Sequence, residues 1–318
     1  MSERAFSPEF EPTVEKREGE RNITSVIDLQ IFRHGQKEKS ATKPDERIVL
    51  TEAGRMQAKQ VGEQKAAASG KVPGERSWQS VAFGSNRDRA QETAAWVMSG
   101  ADNEKTGNEG FDQLIEQLDL ELTNQSNPKL RKAKKVGKDE RLNFDIDESS
   151  PFGIRAMEQF GAGHYLEFIV NESDELAKKL GDRKAEPYSK TASKVAEILE
   201  RYIKMAPRWD KLAMDEAKGY EDTLRRFLGT HLGIGESFLA KVIEETKGKT
   251  ERDKFVAAVN GHGFDFVEGF EVKIETDDVG KTTVRISYEK QKDDKQPGFK
   301  FDEIVPQEVI ERMILPKK

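Results

Sequence analysis

IDLQIFRHG, residues 27 to 35, begins as an apolar run rich in β-formers and ends in Arg33-His34-Gly35. Read as a buried strand, it delivers a histidine to its carboxyl end, where open α/β sheets bind ligands, and Gly35 lets the chain turn away. Arg33 adds a fixed positive charge suited to a phosphate or a carboxylate. Outward from this stretch, the polar loop QKEKSATKPDER leads to a helix with Thr51 as N-cap candidate and Met56, Ala58 and Val61 on its apolar stripe. A second short strand, Val81 to Phe83, precedes Gly84-Ser85, and a helix runs from near Asp88 to Gly100. Two strand-loop-helix units in succession predict a parallel sheet covered by helices.

Beyond residue 100 the pattern is less regular. Phe111 to Leu122 reads as a further strand, and the charged segment that follows, with its basic run Lys129 to Lys138, reads as an excursion with a solvated face. Val195, Ile198, Leu199, Tyr202 and Ile203 share one face of a helix, and residues 221 to 248 suggest a helix pair. Phe255 to Val259 reads as a strand running into Asn260-Gly261-His262-Gly263, and alternation on both sides of DDVG is a hairpin signature. A short apolar helix is expected near Val309 to Ile314. The reading divides the chain into a disordered tail (1–22), an α/β domain (23–290) with an insertion at about 123–230, and a C-terminal extension (291–318).

The 318 residues suffice for one large core. A net charge of −6 argues against nucleic-acid binding, so an anionic substrate needs a local cationic pocket. Without cysteine, disulfides and thiolate chemistry are excluded. No apolar stretch reaches membrane-spanning length and no signal-peptide core is evident, which gives the expectation of a cytoplasmic protein with no membrane partner. His-x-x-x-His and similar ligand spacings are absent, so neither a metal nor a cofactor is expected. Oligomeric state is not encoded in any motif.

FRHG (32–35), LTEAGRMQA (50–58), GSNRDRAQETA (84–94) and the late GHG (261–263), in this order, resemble the histidine phosphatase superfamily, the phosphoglycerate mutase-like fold. The resemblance implies a three-layer α/β/α fold with a mostly parallel sheet and, here, a large inserted helical or irregular cap. It implies a phosphomonoesterase acting on a phosphorylated small molecule through a phosphohistidine on His34. Arg33, Arg89 and His262, with the backbone at Gly263, would bind the phosphoryl group, Arg89 being preferred over Arg87 because it fits the RAxxTA pattern. A carbonyl is expected to hold one ring nitrogen of His34 so that the other attacks. The proton donor is expected to be Glu116, with Glu121 and Asp119 as alternatives and Asp265 behind them. GIGES (233–237) is similar to an element near the family's phosphate, whereas His164 and His231 read as structural, the latter as a helical residue. A phosphomutase of the same superfamily, or a phosphate-binding scaffold without turnover, are the competing readings.

Overall fold

The computed structural model describes residues 22–68, 79–102, 107, 110–123, 135–292 and 297–316. The expected tail, apart from Asn22, and the first part of the basic run, Lys129 to Lys134, lie outside them. The first unit is as the sequence suggests: β1 (Ile23–Arg33), α1 (Glu52–Ala68), β2 (Val81–Gly84) and α2 (Asp88–Ala101). Thr51 caps α1 by accepting the Gly54 N–H at 3.1 Å.

Phe111–Thr123 is a helix, α3, and not a strand. Phe111, Leu114 and Leu118 are buried, three and four apart, the spacing of a helix face. After the short β3 (Val136–Lys138), three helices form the cap: α4 (Pro151–Ala162), α5 (Tyr165–Asn171) and α6 (Ser173–Leu180). Ser150 caps α4 by accepting from Gly153 N, and Gly163 ends it in the left-handed region at φ 80°. The amphipathic helix is α7 (Tyr188–Ala213), longer than its apolar stripe suggested.

Residues 221–248 are not a helix pair but a strand and a helix, β4 (Thr223–Thr230) and α8 (Ile234–Lys247). Arg225 and Arg226 within TLRRFLGT disguise the strand, since Arg226 is satisfied by the Gln79 carbonyl at 2.8 Å. The expected strand at Phe255–Val259 is helical, the end of α9 (Lys249–Ala258). The glycines around His262 therefore serve a turn: Asn260, Gly261 and Gly263 have φ of 57°, 67° and 128°. The expected hairpin is β5 (Gly269–Asp277) with β6 (Thr282–Lys290), and β7 (Phe299–Val305) and α10 (Gln307–Met313) complete the chain.

The sheet order is β3-β2-β4-β1-β5-β6-β7. Its first four strands are mutually parallel, and β5, β6 and β7 extend it as an antiparallel meander, so five of seven strands share one direction. Helices α7, α8, α9 and α10 pack on one face around Leu29, Ile31, Phe238 and Val272. On the other face α1, α2 and α3 enclose Phe32, Trp96, Leu114 and Phe227. This is a three-layer α/β/α fold. Among the described residues no helix is long and apolar enough to cross a membrane.

Candidate active site

Parallel register brings the site together. Arg33 of β1 pairs with Thr230 of β4, so the next residues, His34 and His231, leave the sheet side by side. Their rings are 5.2 Å apart, edge to face, and the His34 N–H is held by the Thr230 carbonyl at 2.9 Å. Gly84 of β2 pairs with Gly229, which puts Ser85 next to His231, with Ser85 Oγ 2.6 Å from His231 Nε2. The Ser85 hydroxyl also accepts the Arg87 N–H at 3.1 Å, which fixes it beside the His231 ring.

His34 Nδ1 donates to the Gly35 carbonyl at 2.7 Å, and Nε2 is thereby left with its lone pair. Burial, together with the nearby charges of Arg89, Arg33 and Lys37, lowers the His34 pKa to about 3 despite the Gly35 hydrogen bond. His231 is lowered well below its ordinary value, first by burial and then by His34, Arg89 and Arg87. Both imidazoles are thus neutral near pH 7.

The motif residues hold this geometry. Thr93 accepts the Gly35 N–H at 3.0 Å and donates to the Arg89 carbonyl at 2.7 Å, tying the RHG turn to the start of α2. Glu92, fully buried, accepts from Leu50 N at 2.6 Å and from Arg55 Nε at 2.9 Å. At Gly54 a Cβ would lie 2.5 Å from the Gln36 carbonyl oxygen, so only glycine lets α1 approach the loop after His34 so closely.

A cavity of about 510 Å³ opens at these strand ends. Arg33, Lys37, Arg87 and Arg89 form its cationic side. The Asp45 carboxylate lies among them, 2.9 Å from Lys37, 2.8 Å from Arg87 and 2.9 Å from Arg89, an internal demonstration that this cluster holds an oxyanion. Burial raises the Asp45 pKa, but hydrogen bonds from Arg89 and Lys37 and the charges of Arg89 and Arg87 prevail and bring it to about 2. Among the described residues, Nε of Arg33 and of Arg89 is buried without a partner.

Behind Arg33 lies the buried Glu236 of the GIGES segment, which accepts from Gly233 N and Phe264 N, both at 2.9 Å. Burial raises its pKa to about 7 against these hydrogen bonds and the charge of Arg33. It therefore links the β4–α8 turn to the loop whose Phe264 carbonyl receives Arg33 Nη1 at 2.5 Å. In that loop Val267 has φ 61°, a conformation costing a β-branched residue roughly 1–3 kcal/mol. The strain is held by Val267 N donating to the Arg33 carbonyl at 3.1 Å and by Gln57 Nε2 donating to the Phe266 carbonyl at 3.0 Å. It turns Phe266 over Arg33, with its ring 4.7 Å from the guanidinium carbon and 6.3 Å from the His34 ring.

Of the residues singled out in the sequence, Arg33, His34, Arg87 and Arg89 line the cavity. His262 does not line it; its ring packs 5.5 Å from that of Phe160, and the residue beside His34 is His231. Gly263 belongs to the same turn, where a Cβ would meet Leu232 and Glu236. Glu116 is an exposed residue on α3, outside the cavity, and Asp119 accepts from Lys135 N at 3.1 Å. Glu121 falls in the same helix, its side chain outside the described residues. Asp265 pairs with Lys290 at 3.0 Å, and the exposed His164 with Glu167 at 3.2 Å. His231, read as a helical structural residue, instead lines the cavity at the end of β4, and Asp45, Glu148 and Phe266 are lining residues that the sequence reading did not single out. For His231 the usable signal was GTH after an apolar run, with GIGES following.

The buried histidines predict acid sensitivity. Below the ordinary histidine pKa of about 6.5 the unfolded chain binds a proton at His34 that the folded chain refuses down to about 3, so stability is lost as pH falls through that window. Glu236 and Asp28, raised to about 7 and about 6, act in the opposite sense, so the contribution of His34 is read by difference. The loss of unfolding free energy between pH 7 and pH 5 is expected to be about 2 kcal/mol smaller in His34→Gln than in the wild type. Equal losses, measured by urea denaturation at both pH values, would mean that His34 titrates normally.

No family model matches the chain, and no curated protein does. Among solved structures, several are similar to it at low identity. One is an Agrobacterium tumefaciens protein described as the phosphohistidine phosphatase SixA: 11% identity, 79% of this chain and 92% of that one covered, TM-score 0.27. Another is a mycobacterial glucosyl-3-phosphoglycerate phosphatase, with 13% identity, coverage of 82% and 96%, and TM-score 0.36. A third is a Hafnia alvei phytase, with 9% identity, coverage of 95% and 99%, and TM-score 0.37.

Proposed function

We propose that this chain is a phosphomonoesterase that works through a phosphohistidine on His34. The observation that carries the reading is the His34 ring, neutral, with Nδ1 bound to the Gly35 carbonyl, beside His231 at the wall of a cavity lined by Arg33, Arg87 and Arg89. Substrate phosphate displaces the Asp45 carboxylate from Arg87 and Arg89, and the buried guanidinium N–H groups take its equatorial oxygens. His34 Nε2 then attacks phosphorus as the ester P–O bond breaks, while the Nδ1–H bond to Gly35 supports the cationic ring that forms. His231, beside the His34 ring, takes the role that the sequence reading gave to His262.

Asp45, Glu46 and Glu148 are the cavity-lining carboxylates among the described residues. Asp45 is committed to three cations, and Glu46 stands on the same loop beside it. Glu148 leads into α4, whose Met157 and Phe160 belong to the apolar wall against which a leaving group lies. It protonates the departing alkoxide, then removes a proton from the water that attacks the phosphohistidine, releasing inorganic phosphate and restoring the Nε2 lone pair. The activity is expected without added metal and to be inhibited by vanadate.

The test is rapid quenching in base during turnover of a phosphomonoester, followed by mapping of the acid-labile, base-stable phosphate. The label is expected on His34, and Glu148→Gln should raise its steady-state level with good leaving groups, because hydrolysis of the intermediate is slowed more than its formation. Turnover with no phosphate on His34 would exclude the mechanism.

A further inference from the structure

The cavity is far larger than a phosphate and most of its wall surface is apolar. Its apolar lining is Phe144, Met157, Phe160, Tyr165, Leu232 and Phe266, and of these the Phe266 ring lies over the Arg33 guanidinium. Three of these side chains are left partly open to water: Phe160 is 42% exposed, Phe266 37% and Met157 36%. Large apolar groups left uncovered at the mouth of a deep cavity, rather than scattered over the surface, mark a surface that a ligand covers. Phe266 is fixed there by a strained backbone at Val267, so its position is maintained against a local cost and is not incidental. Phe160 is held by rings on either side, Tyr165 at 6.1 Å and His262 at 5.5 Å.

Reach decides which part of a substrate meets these rings. The Phe266 ring lies 6.3 Å from the His34 ring, so with phosphorus at Nε2 the group that meets it is joined to the ester oxygen directly or through a single carbon. Phe160 and Met157, three apart on α4, stand on one face of that helix and form the roof further out. A sugar or polyol would set hydroxyls against these surfaces with few side-chain partners, leaving polar groups desolvated and unpaired. A planar apolar group fits both the rings and the volume of about 510 Å³.

We infer that the site selects phosphomonoesters of aromatic alcohols, with the ring bound between Phe266 and the Phe160–Met157 face of α4. The inference rests on reading the cavity as a phosphomonoester site, and its test separates the two. Aryl leaving groups depart more readily whatever the enzyme, so the comparison is made on binding of non-hydrolysable phosphonates by calorimetry. Benzylphosphonate is expected to bind the wild-type chain about tenfold more tightly than methylphosphonate. In Phe160→Ala the ratio should fall severalfold, whereas a merely structural defect would weaken both ligands alike and leave the ratio intact. Equal binding of the two phosphonates by the wild type would overturn the aromatic selectivity and leave the phosphate site standing. Hexylphosphonate binding as tightly as benzylphosphonate would likewise overturn it in favour of general apolar selection. Absence of binding by all three would remove the phosphate site and this inference with it.

Discussion

Replacing His34 with alanine is expected to lower kcat/KM for phosphomonoesters by at least about 10⁴-fold and to abolish the trapped phosphoenzyme, because no other side chain offers a lone pair where Nε2 stands. Binding of inorganic phosphate or vanadate should persist, since Arg33, Arg87, Arg89 and His231 all remain. The variant separates nucleophile from anion site: chemistry goes and the cationic pocket stays. His231→Ala is expected to cost less, roughly 10²- to 10³-fold, as the loss of one charge-stabilising donor. His262→Ala, at a residue that does not line the cavity, should affect turnover far less than either. Steady-state kinetics on the three variants, with circular dichroism to show that each is folded, checks the ranking. Near wild-type turnover in His34→Ala would end the phosphohistidine mechanism, and a larger loss in His262→Ala than in His231→Ala would reverse the assignment of the second histidine.

The second large effect concerns how the sheet carries Arg89. At Gly229, on β4, an added Cβ would lie 2.0 Å from the Ala90 carbonyl oxygen and 2.9 Å from its carbon. Gly84 on β2 presents the same bare backbone to Gln91 N at 2.4 Å. The first turn of α2 therefore rests on two glycines of adjacent, directly paired strands. Ala90 follows Arg89, so moving this turn moves the guanidinium that lines the cavity. Gly229→Ala is expected to destabilise the fold by about 3 kcal/mol or more, as backbone overpacking that no side-chain rotation relieves. It should also raise KM for phosphomonoesters in whatever folded fraction remains. Gly161→Ala is the control, since nothing lies within 4 Å of its Cβ and it sits in α4, where alanine is the better helix former. Chemical denaturation of the three proteins measures the difference; a Gly229→Ala variant as stable as Gly161→Ala would show that α2 can shift without cost.

Much of the site was legible because it is local. In Phe32 to Gly35, Leu50 to Ala58 and Gly84 to Ala94, each residue type has a nearby reason in the fold. Thr51 caps α1, Gly54 admits the loop after His34, Thr93 joins Gly35 to Arg89, and Glu92 holds Leu50 and Arg55. Such pairings recur at fixed spacing and can be read without coordinates. The β5–β6 hairpin is legible for the same reason, as two-residue alternation on either side of a turn.

Three misreadings share a cause. Phe111–Thr123 and Phe255–Ala258 contain short apolar runs whose period is indecisive by itself, and packing made both helical. Thr223–Thr230 carries two arginines that suit a helix face, yet it runs between β1 and β2 at the centre of the sheet. Once β4 was hidden, the histidine at its end was hidden too, and the glycines of GHG, which form the turn after α9, drew the reading to His262 instead.

The amino-acid sequence alone determined that a histidine and an arginine would stand at the end of a central strand, with Arg89 supplied by the next helix, because strand, cap and turn preferences act over a few residues. Only the tertiary structure decided which second histidine would meet His34, which carboxylate would line the cavity, and which rings would close over it. Those choices depend on strand order and parallel register between segments nearly two hundred residues apart, where Arg33 pairs with Thr230. Such pairings are fixed by how whole elements bury their apolar faces against one another, and no neighbouring residue carries a record of them.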